Sequence, residues 1–169
     1  MAMSTRTRGF LVLMVATLVV ISTLAAVHEA TRGRVDSNRA RALWRHAETL
    51  TGINDLHTRG LPPAAGSTIT LNDGRFLLFG SVEGYGGPIE FLVLVAQTRS
   101  IDGLRVTRHQ ETPGIGDFID QPESAWMRRF VGADAESMNN IDGKTGATIT
   151  TKALRGGVQE LVTRAGDQP

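Results

Sequence analysis

The sequence predicts an α+β fold in which a single N-terminal transmembrane helix precedes a domain with an antiparallel sheet and packed helices. Three observations lead to this prediction. Residues 10–27 carry no charge, residues 67–109 alternate apolar and polar residues around short turns, and residues 150–164 carry apolar residues at helical spacing. The length of 169 residues suits one compact domain with an appendage.

The composition excludes several kinds of redox site. The chain has no cysteine, so it cannot form a disulfide framework, a thiolate zinc site or a cysteine-ligated iron–sulfur cluster. A redox role would therefore need an organic cofactor or a metal held by nitrogen and oxygen ligands. Residues 1–48 hold seven arginines against three acidic residues, whereas the remainder holds eleven basic and fourteen acidic residues. This split argues against nucleic-acid binding and favours an N-terminal segment beside a membrane.

Residues 10–27 predict the membrane span. Eighteen helical residues extend about 27 Å, close to the roughly 30 Å of a bilayer's hydrocarbon core. A cleaved signal peptide is the alternative, because small residues follow Leu24, but the apolar part of a signal peptide usually runs only about 7–15 residues. We therefore expect an uncleaved anchor over residues 10–27, after a tail over residues 1–9.

The arginines leave the orientation of this anchor open. Two arginines precede the span and five follow it within the next eighteen residues. By the positive-inside rule, this count would place the C-terminal side in the cytoplasm. A short tail followed by one span and a large domain also fits a signal anchor that exports the domain.

Residues 28–66 predict a juxtamembrane helix and a linker. Asp36 and Ser37 can cap the start of this helix, Gly52 can end it, and residues 61–66 (LPPAAG) form the linker. The apolar face of the helix consists of Ala40, Leu43, Trp44, Ala47 and Leu50.

The folded domain is predicted to span residues 67–169 and to begin with four strands. Ile69 and Leu71 mark the first strand, which a turn at residues 72–74 connects to the second strand at residues 76–82. Residues 89–96 are apolar enough for a central third strand. The residues that mark the fourth strand are Leu104, Val106 and His109.

Two helices are predicted after the sheet. Residues 124–131 predict a short helix, and residues from about 150 to 164 predict a C-terminal helix that packs on the sheet. Gly156 and Gly157 weaken the middle of the C-terminal helix. Its apolar stripe consists of Leu154, Val158, Leu161 and Val162.

Packing does not explain the loop over residues 142–151, which leads into the C-terminal helix. Gly146 and Ala147 leave backbone N–H groups unshielded, and three threonines follow at positions 148, 150 and 151. A helix N-terminus presents unpaired N–H groups and a partial positive charge, so this loop could bind a phosphate. A hydroxyl-rich helix cap without a ligand is the alternative reading. Residues 143–145 read Gly-Lys-Thr, but Met138 stands where a nucleotide-hydrolysing P-loop has its first glycine, so the loop does not match that motif.

A second unexplained stretch covers residues 109–117 (HQETPGIGD). It could be a Pro-Gly turn with solvated carboxylates. Glu111 and Asp117 could also suggest acid–base chemistry of the glycosidase type, but an aromatic content of 5% does not favour a sugar site. His109 has no second histidine nearby, so we expect a structural or surface histidine and no metal site.

Three motifs in this order resemble the FMN-binding domain family. They are residues 84–89 (GYGGPI), residues 109–117 and residues 142–148 (DGKTGAT). In particular, the chain resembles the G subunit of Rnf-type (also Rsx) ion-translocating electron-transport complexes. The C subunit of the sodium-translocating NADH:quinone reductase is a longer relative. The resemblance covers roughly residues 70–165.

This resemblance implies one FMN per chain, which a flavin transferase joins through its phosphate to the hydroxyl of Thr148. Residues 142–147 would form the recognition loop of that threonine, and residues 111–116 would lie against the flavin. The resemblance implies neither a catalytic residue nor a metal ligand. The residues that it assigns to FMN are Glu111, Thr112, Pro113, Gly114, Asp142, Thr145, Gly146, Ala147 and Thr148.

The resemblance further implies a membrane-anchored subunit that relays electrons, with ferredoxin and NAD handled by other subunits and the transfer coupled to Na⁺ or H⁺ movement. The implied partners are the other membrane subunits, including the D subunit as a second carrier of covalent flavin, the flavin transferase and the lipid bilayer. The implied location is the bacterial inner membrane, with the flavin domain on the periplasmic side. The alternatives are a flavoprotein like the C subunit of a sodium-pumping quinone reductase, a standalone extracytoplasmic flavin carrier, and a membrane-tethered binding module without a cofactor.

Overall fold

The computed structural model describes residues 5–166 and divides the chain into two compact units, Met1–Arg41 and Ala42–Pro169. The second unit contains the whole sheet. It also contains residues 42–66, which the sequence assigns to the juxtamembrane helix and the linker. The predicted domain start at residue 67 stays a prediction.

Helix α1, Thr5–Thr51, contains the predicted anchor. Its apolar side chains between Phe10 and Val27 are exposed, and the hydroxyl of Thr17 donates to the carbonyl oxygen of Leu13 at 2.9 Å. A threonine that bonds back to its own helix presents no unpaired hydroxyl to lipid. By its length and composition, α1 can cross a membrane.

The predicted helix start at Asp36–Ser37 is wrong, because α1 runs through these residues without interruption. Residues 28–35 contain no proline, so nothing stops the helix there. Ser37 behaves as an interior residue, since its hydroxyl donates to the carbonyl of Arg34 at 3.0 Å. The predicted stop is confirmed: α1 ends at Thr51, and Gly52 follows with φ +72°.

The predicted antiparallel sheet is confirmed. Its strands are β1 (Thr68–Thr70), β2 (Phe76–Glu83), β3 (Pro88–Val95) and β4 (Ile101–Arg108), and they lie in the order β1-β2-β3-β4. His109, predicted in the fourth strand, lies just beyond it because its ring bonds to the following loop.

Both faces of the sheet are buried, which explains the nearly continuous apolar run of β3. On one face, Phe79 and Leu92 pack with Trp44 from the end of α1. The turn after β1 is joined to the same helix end, because Arg75 donates to the carbonyl of Thr51 at 2.7 Å. Arg75 also donates to Asp73 and so holds the pKa of that carboxyl below its usual value.

The opposite face of the sheet packs against helix α2, Thr148–Gly166, which begins two residues before the predicted start. The predicted apolar stripe of α2 is confirmed as buried, and Leu154 and Val158 pack in one cluster with the sheet. The short helix predicted at residues 124–131 is a 3-10 helix over Met127–Phe130. Further 3-10 helices are Leu56–Arg59, Asp117–Ile119 and Ser137–Asn140.

The two adjacent glycines of α2 predict opposite effects of the same substitution. A Cβ atom at Gly157 would lie 2.1 Å from Val82 Cγ1, whereas at Gly156 it would meet nothing within 4 Å. We expect Gly156→Ala to raise the free energy of unfolding by about 0.5–1 kcal/mol, because alanine favours a helix. We expect Gly157→Ala to lower it by about 1–3 kcal/mol through overpacking.

Urea unfolding of the detergent-solubilised chain measures both effects. The gain in helix propensity is the same at the two positions. The difference between the free energies of unfolding of the two variants therefore reports the contact of position 157 with β2. Equal unfolding curves for the two variants would contradict the packing of α2 on the sheet.

Candidate functional site

A buried carboxylate joins three loops that are distant in the sequence. Glu111 is 6% exposed. Its Oε1 accepts the N–H of Gly86 at 3.1 Å, and its Oε2 accepts the hydroxyl of Thr150. Glu111 therefore connects the β2–β3 turn and the loop after β4 with the first turn of α2.

Glycines leave the space that this carboxylate occupies. A Cβ atom at Gly84 would lie 2.3 Å from Glu111 Oε1, and one at Gly116 would lie 2.3 Å from Glu111 Cβ. At Gly86, it would lie 1.9 Å from the carbonyl oxygen of Gln110. Glycines of the first two motifs thus serve the close approach of the β2–β3 turn to the Glu111 loop.

His109 fixes the start of this loop. Its Nδ1 accepts the backbone N–H of Glu111 at 3.0 Å, and its Nε2 lies 2.8 Å from a carboxylate oxygen of Asp120. Because Nδ1 accepts, the ring proton lies on Nε2 and is donated to Asp120. His109 therefore has a structural role in shaping the loop.

The first turn of α2 holds three threonines in two environments. Thr150 and Thr151 are 2% and 1% exposed, and both hydroxyls are bonded: Thr150 donates to Glu111, and Thr151 donates to the carbonyl of Ala147 at 3.0 Å. Thr148 is exposed. Within residues 5–166, the Thr148 hydroxyl has no hydrogen-bond partner, so it is the one available nucleophile of this turn.

The loop before α2 is held by three long side chains that donate to consecutive carbonyl groups. Arg129 donates to Asn140 at 3.1 Å and Arg155 donates to Ile141 at 2.8 Å. The Trp126 Nε1–H donates to the carbonyl of Asp142 at 2.8 Å. These bonds fix the loop, and Gly146, with φ +85°, supplies the turn into the helix.

A pocket of about 400 Å³ opens between these segments. This volume lies within the roughly 300–1,000 Å³ of small-molecule sites. Three of its side chains, Tyr85, Ile115 and Ile149, are apolar or aromatic and exposed. The lining residues are Tyr85, Glu111, Thr112, Ile115, Gly146, Ala147, Thr148, Ile149 and Thr150.

The structure brings five of the nine predicted cofactor residues to this pocket. They are Glu111, Thr112, Gly146, Ala147 and Thr148. The other four lie in the adjoining loops and are not among its lining residues: Pro113, Gly114, Asp142 and Thr145. Asp142 is bonded through its carbonyl to Trp126, and Gly114 donates its N–H to Asp117 at 3.0 Å.

Of the other lining residues, Ile115 was predicted against the flavin as part of residues 111–116, and sequence reasoning did not assign three to the cofactor: Tyr85, Ile149 and Thr150. The alternation of threonine and isoleucine over residues 148–150 was the available signal. Successive residues of a helix are rotated by about 100°, so Thr148 and Thr150 lie on opposite sides of the helix.

Residues 84–163 match the FMN-binding domain family. The resemblance carried by the three motifs is thereby confirmed, and the matched range begins at the turn that Glu111 holds and includes most of α2.

Three curated relatives of the chain are each named as the G subunit of an ion-translocating oxidoreductase complex. The protein of Vibrio cholerae serotype O1 is 38% identical over 91 residues, which cover 47% of this chain and 44% of the relative. Those of Aliivibrio fischeri and Buchnera aphidicola are each 37% identical over 91 residues; the match covers 47% of this chain and 43% and 56% of the relatives, respectively. The chain spans about half the length of the curated relatives it matches.

The residues of the pocket fit FMN. A flavin ring packs on apolar and aromatic surfaces, which Tyr85, Ile115 and Ile149 supply. A phosphate needs N–H donors and a positive potential, and the first amides of α2 have no acceptor within their helix. Thr148 lines the same pocket. One pocket thus offers apolar and aromatic surface for the flavin ring and N–H donors for the phosphate.

A substitution at Gly86 tests the contact between the β2–β3 turn and the Glu111 loop. We expect Gly86→Ala to lower the free energy of unfolding by about 1–3 kcal/mol, because its Cβ would collide with a backbone oxygen that cannot rotate away. Urea unfolding measures the loss, with Gly156→Ala as the matched control. Wild-type stability of Gly86→Ala would contradict the contact between the two loops.

Proposed function

We propose that this chain is a membrane-anchored flavoprotein subunit of an Rnf-type ion-translocating oxidoreductase complex, with one FMN covalently joined through its phosphate to Thr148. One observation carries the attachment site: the Thr148 hydroxyl is exposed and unbonded at the N-terminus of α2, whereas those of Thr150 and Thr151 are buried and bonded. The match to the FMN-binding domain family and the names of the relatives support the flavin and the complex.

Attachment to Thr148 needs an activated flavin donor and a flavin transferase. A phosphate ester does not form readily from a free phosphate, so the donor carries the FMN phosphate in a pyrophosphate bond. The Thr148 oxygen forms a bond to the flavin-side phosphorus, and the pyrophosphate P–O bond breaks. The remaining phosphate group of the donor leaves, and the hydroxyl proton passes to solvent or to a base of the transferase.

The first turn of α2 suits the product of this reaction. A phosphodiester keeps one negative charge, which the helix dipole and the free N–H groups of the first turn stabilise. The covalent bond also prevents loss of the cofactor from a domain outside the cytoplasm. When bound, FMN supplies one- and two-electron transfer, while the chain holds and orients it.

In this proposal, the subunit is anchored in the bacterial inner membrane by α1. The exposed apolar surface of α1 between Phe10 and Val27 would contact lipid and the other membrane subunits, including the flavin-carrying D subunit. Ferredoxin and NAD would react at other subunits. We place the flavin domain on the periplasmic side, as the family resemblance implies. The arginine count does not oppose this orientation, because long domains cross the membrane largely regardless of the flanking charges.

Replacement of Thr148 tests the attachment. We expect Thr148→Ala, co-expressed with a flavin transferase, to lose the flavin fluorescence of the denatured protein band and the added mass of FMN, because no other hydroxyl of this turn is free. Thr163→Ala is the matched control. Thr163 is an exposed threonine of the same helix whose hydroxyl bonds to the carbonyl of Gln159 at 2.8 Å.

The outcomes separate the alternatives. A fluorescent Thr148→Ala band would show that the flavin is attached to a residue other than Thr148. A colourless wild-type chain of unmodified mass would instead favour a tethered binding module without a cofactor. The subunits that copurify with the flavinylated chain distinguish an Rnf-type complex from a quinone reductase and from a standalone carrier.

A further inference from the structure

Thr150 and Thr151 are equally buried in α2, but their hydroxyls donate hydrogen bonds to different acceptors. The Thr151 hydroxyl donates to the carbonyl groups of Ala147, which directly precedes the helix, and of Thr148, its first residue. The Thr150 hydroxyl donates to Glu111, which lies 39 residues earlier in the chain. Of these two hydroxyls, that of Thr150 therefore connects the helix to a pocket segment that is distant in the sequence.

The Thr150 contact determines which way the first turn of α2 faces. Residues two apart on a helix point about 200° apart. With Thr150 turned inward to the carboxylate, Thr148 must point outward, and it is exposed. Rotation of this turn would move both hydroxyls at once, so the bond to Glu111 also fixes the Thr148 hydroxyl.

The carboxylate is itself held firmly enough to act as a fixed point. Glu111 is almost fully buried, and its second oxygen accepts the N–H of Gly86. Its own N–H donates to His109, which is held by Asp120. A buried carboxylate that loses a donor pays a large desolvation cost, so this contact strongly favours a single arrangement of the helix turn.

We infer that Thr150 and Glu111 are positioning residues for flavin transfer, because their hydrogen bond presents the Thr148 hydroxyl to the transferase. Neither residue takes part in the bond that forms. The inference rests on the proposed attachment at Thr148, and it adds a requirement that the attachment motif alone does not contain: a glutamate on a different loop.

The experiment is a time course of flavinylation in cells that co-express the full chain and a flavin transferase. In-gel flavin fluorescence is divided by the amount of chain recovered as a monodisperse detergent-solubilised protein. We expect Thr150→Val to slow labelling at least about tenfold, because it removes a charge-assisted hydrogen bond. We expect Thr150→Ser, which keeps the hydroxyl, to label within about threefold of wild type.

Thr151→Val is the matched control. It makes the same change at the neighbouring buried position, where the carbonyl of Ala147 still accepts the backbone N–H of Thr151 at 3.0 Å. We expect labelling within about threefold of wild type. Slow labelling of Thr151→Val or Thr150→Ser would show a general effect of altering this turn and would overturn the inference.

A second variant covers the case in which Thr150→Val does not accumulate. Glu111→Asp keeps the buried charge but is one methylene shorter, so its carboxylate cannot keep both Gly86 and Thr150 as donors. We expect labelling at least about tenfold slower. Wild-type rates for Glu111→Asp, or for Thr150→Val, would overturn the inference.

Thr148→Ala in the same time course separates the two proposals. If Thr148→Ala is unlabelled and Thr150→Val is labelled at the wild-type rate, the attachment site stands and the positioning role fails. If Thr148→Ala is labelled, the attachment site itself fails.

Discussion

The buried carboxylate of Glu111 is the constraint on which the rest of the site depends. A charged group can be buried only where donors replace its lost water. Here the donors come from the turn between two strands and from the start of a helix, at Gly86 and Thr150. Satisfying one carboxylate therefore requires three separate segments to meet, and the pocket is the space left where they meet.

The fold supplies rigid elements for these segments. The β2–β3 turn, the end of β4 and the first turn of α2 all lie at the ends of regular elements. The sheet between them is buried on both faces, by the end of α1 on one side and by α2 on the other. Loops that leave such elements start from fixed positions, so a site built from them is organised before a cofactor binds.

The chemistry of the site follows from the same arrangement. A helix N-terminus attracts a phosphate, but it does not select one hydroxyl among several. In the proposed attachment, hydrogen bonding makes this selection, because the carboxylate and backbone carbonyl groups accept two of the three threonine hydroxyls and Thr148 is left exposed. The chain thus combines a helix that can cross a membrane with a segment similar to FMN-binding domains, and it has no thiol.

The sequence by itself determined the elements, because each depends on local patterns. The apolar run at residues 10–27, the alternation of the strands and the stripe of α2 follow from periodicity, and Gly52 ended α1 as expected. Local signals misplaced the start of the juxtamembrane helix, since a capping residue such as Ser37 is also tolerated inside a helix that nothing interrupts. Only the tertiary structure decided that Glu111 faces inward rather than solvent, and that Tyr85 and Ile149 share its pocket. These contacts join residues that are tens of positions apart, and no local pattern encodes which donor a carboxylate will find.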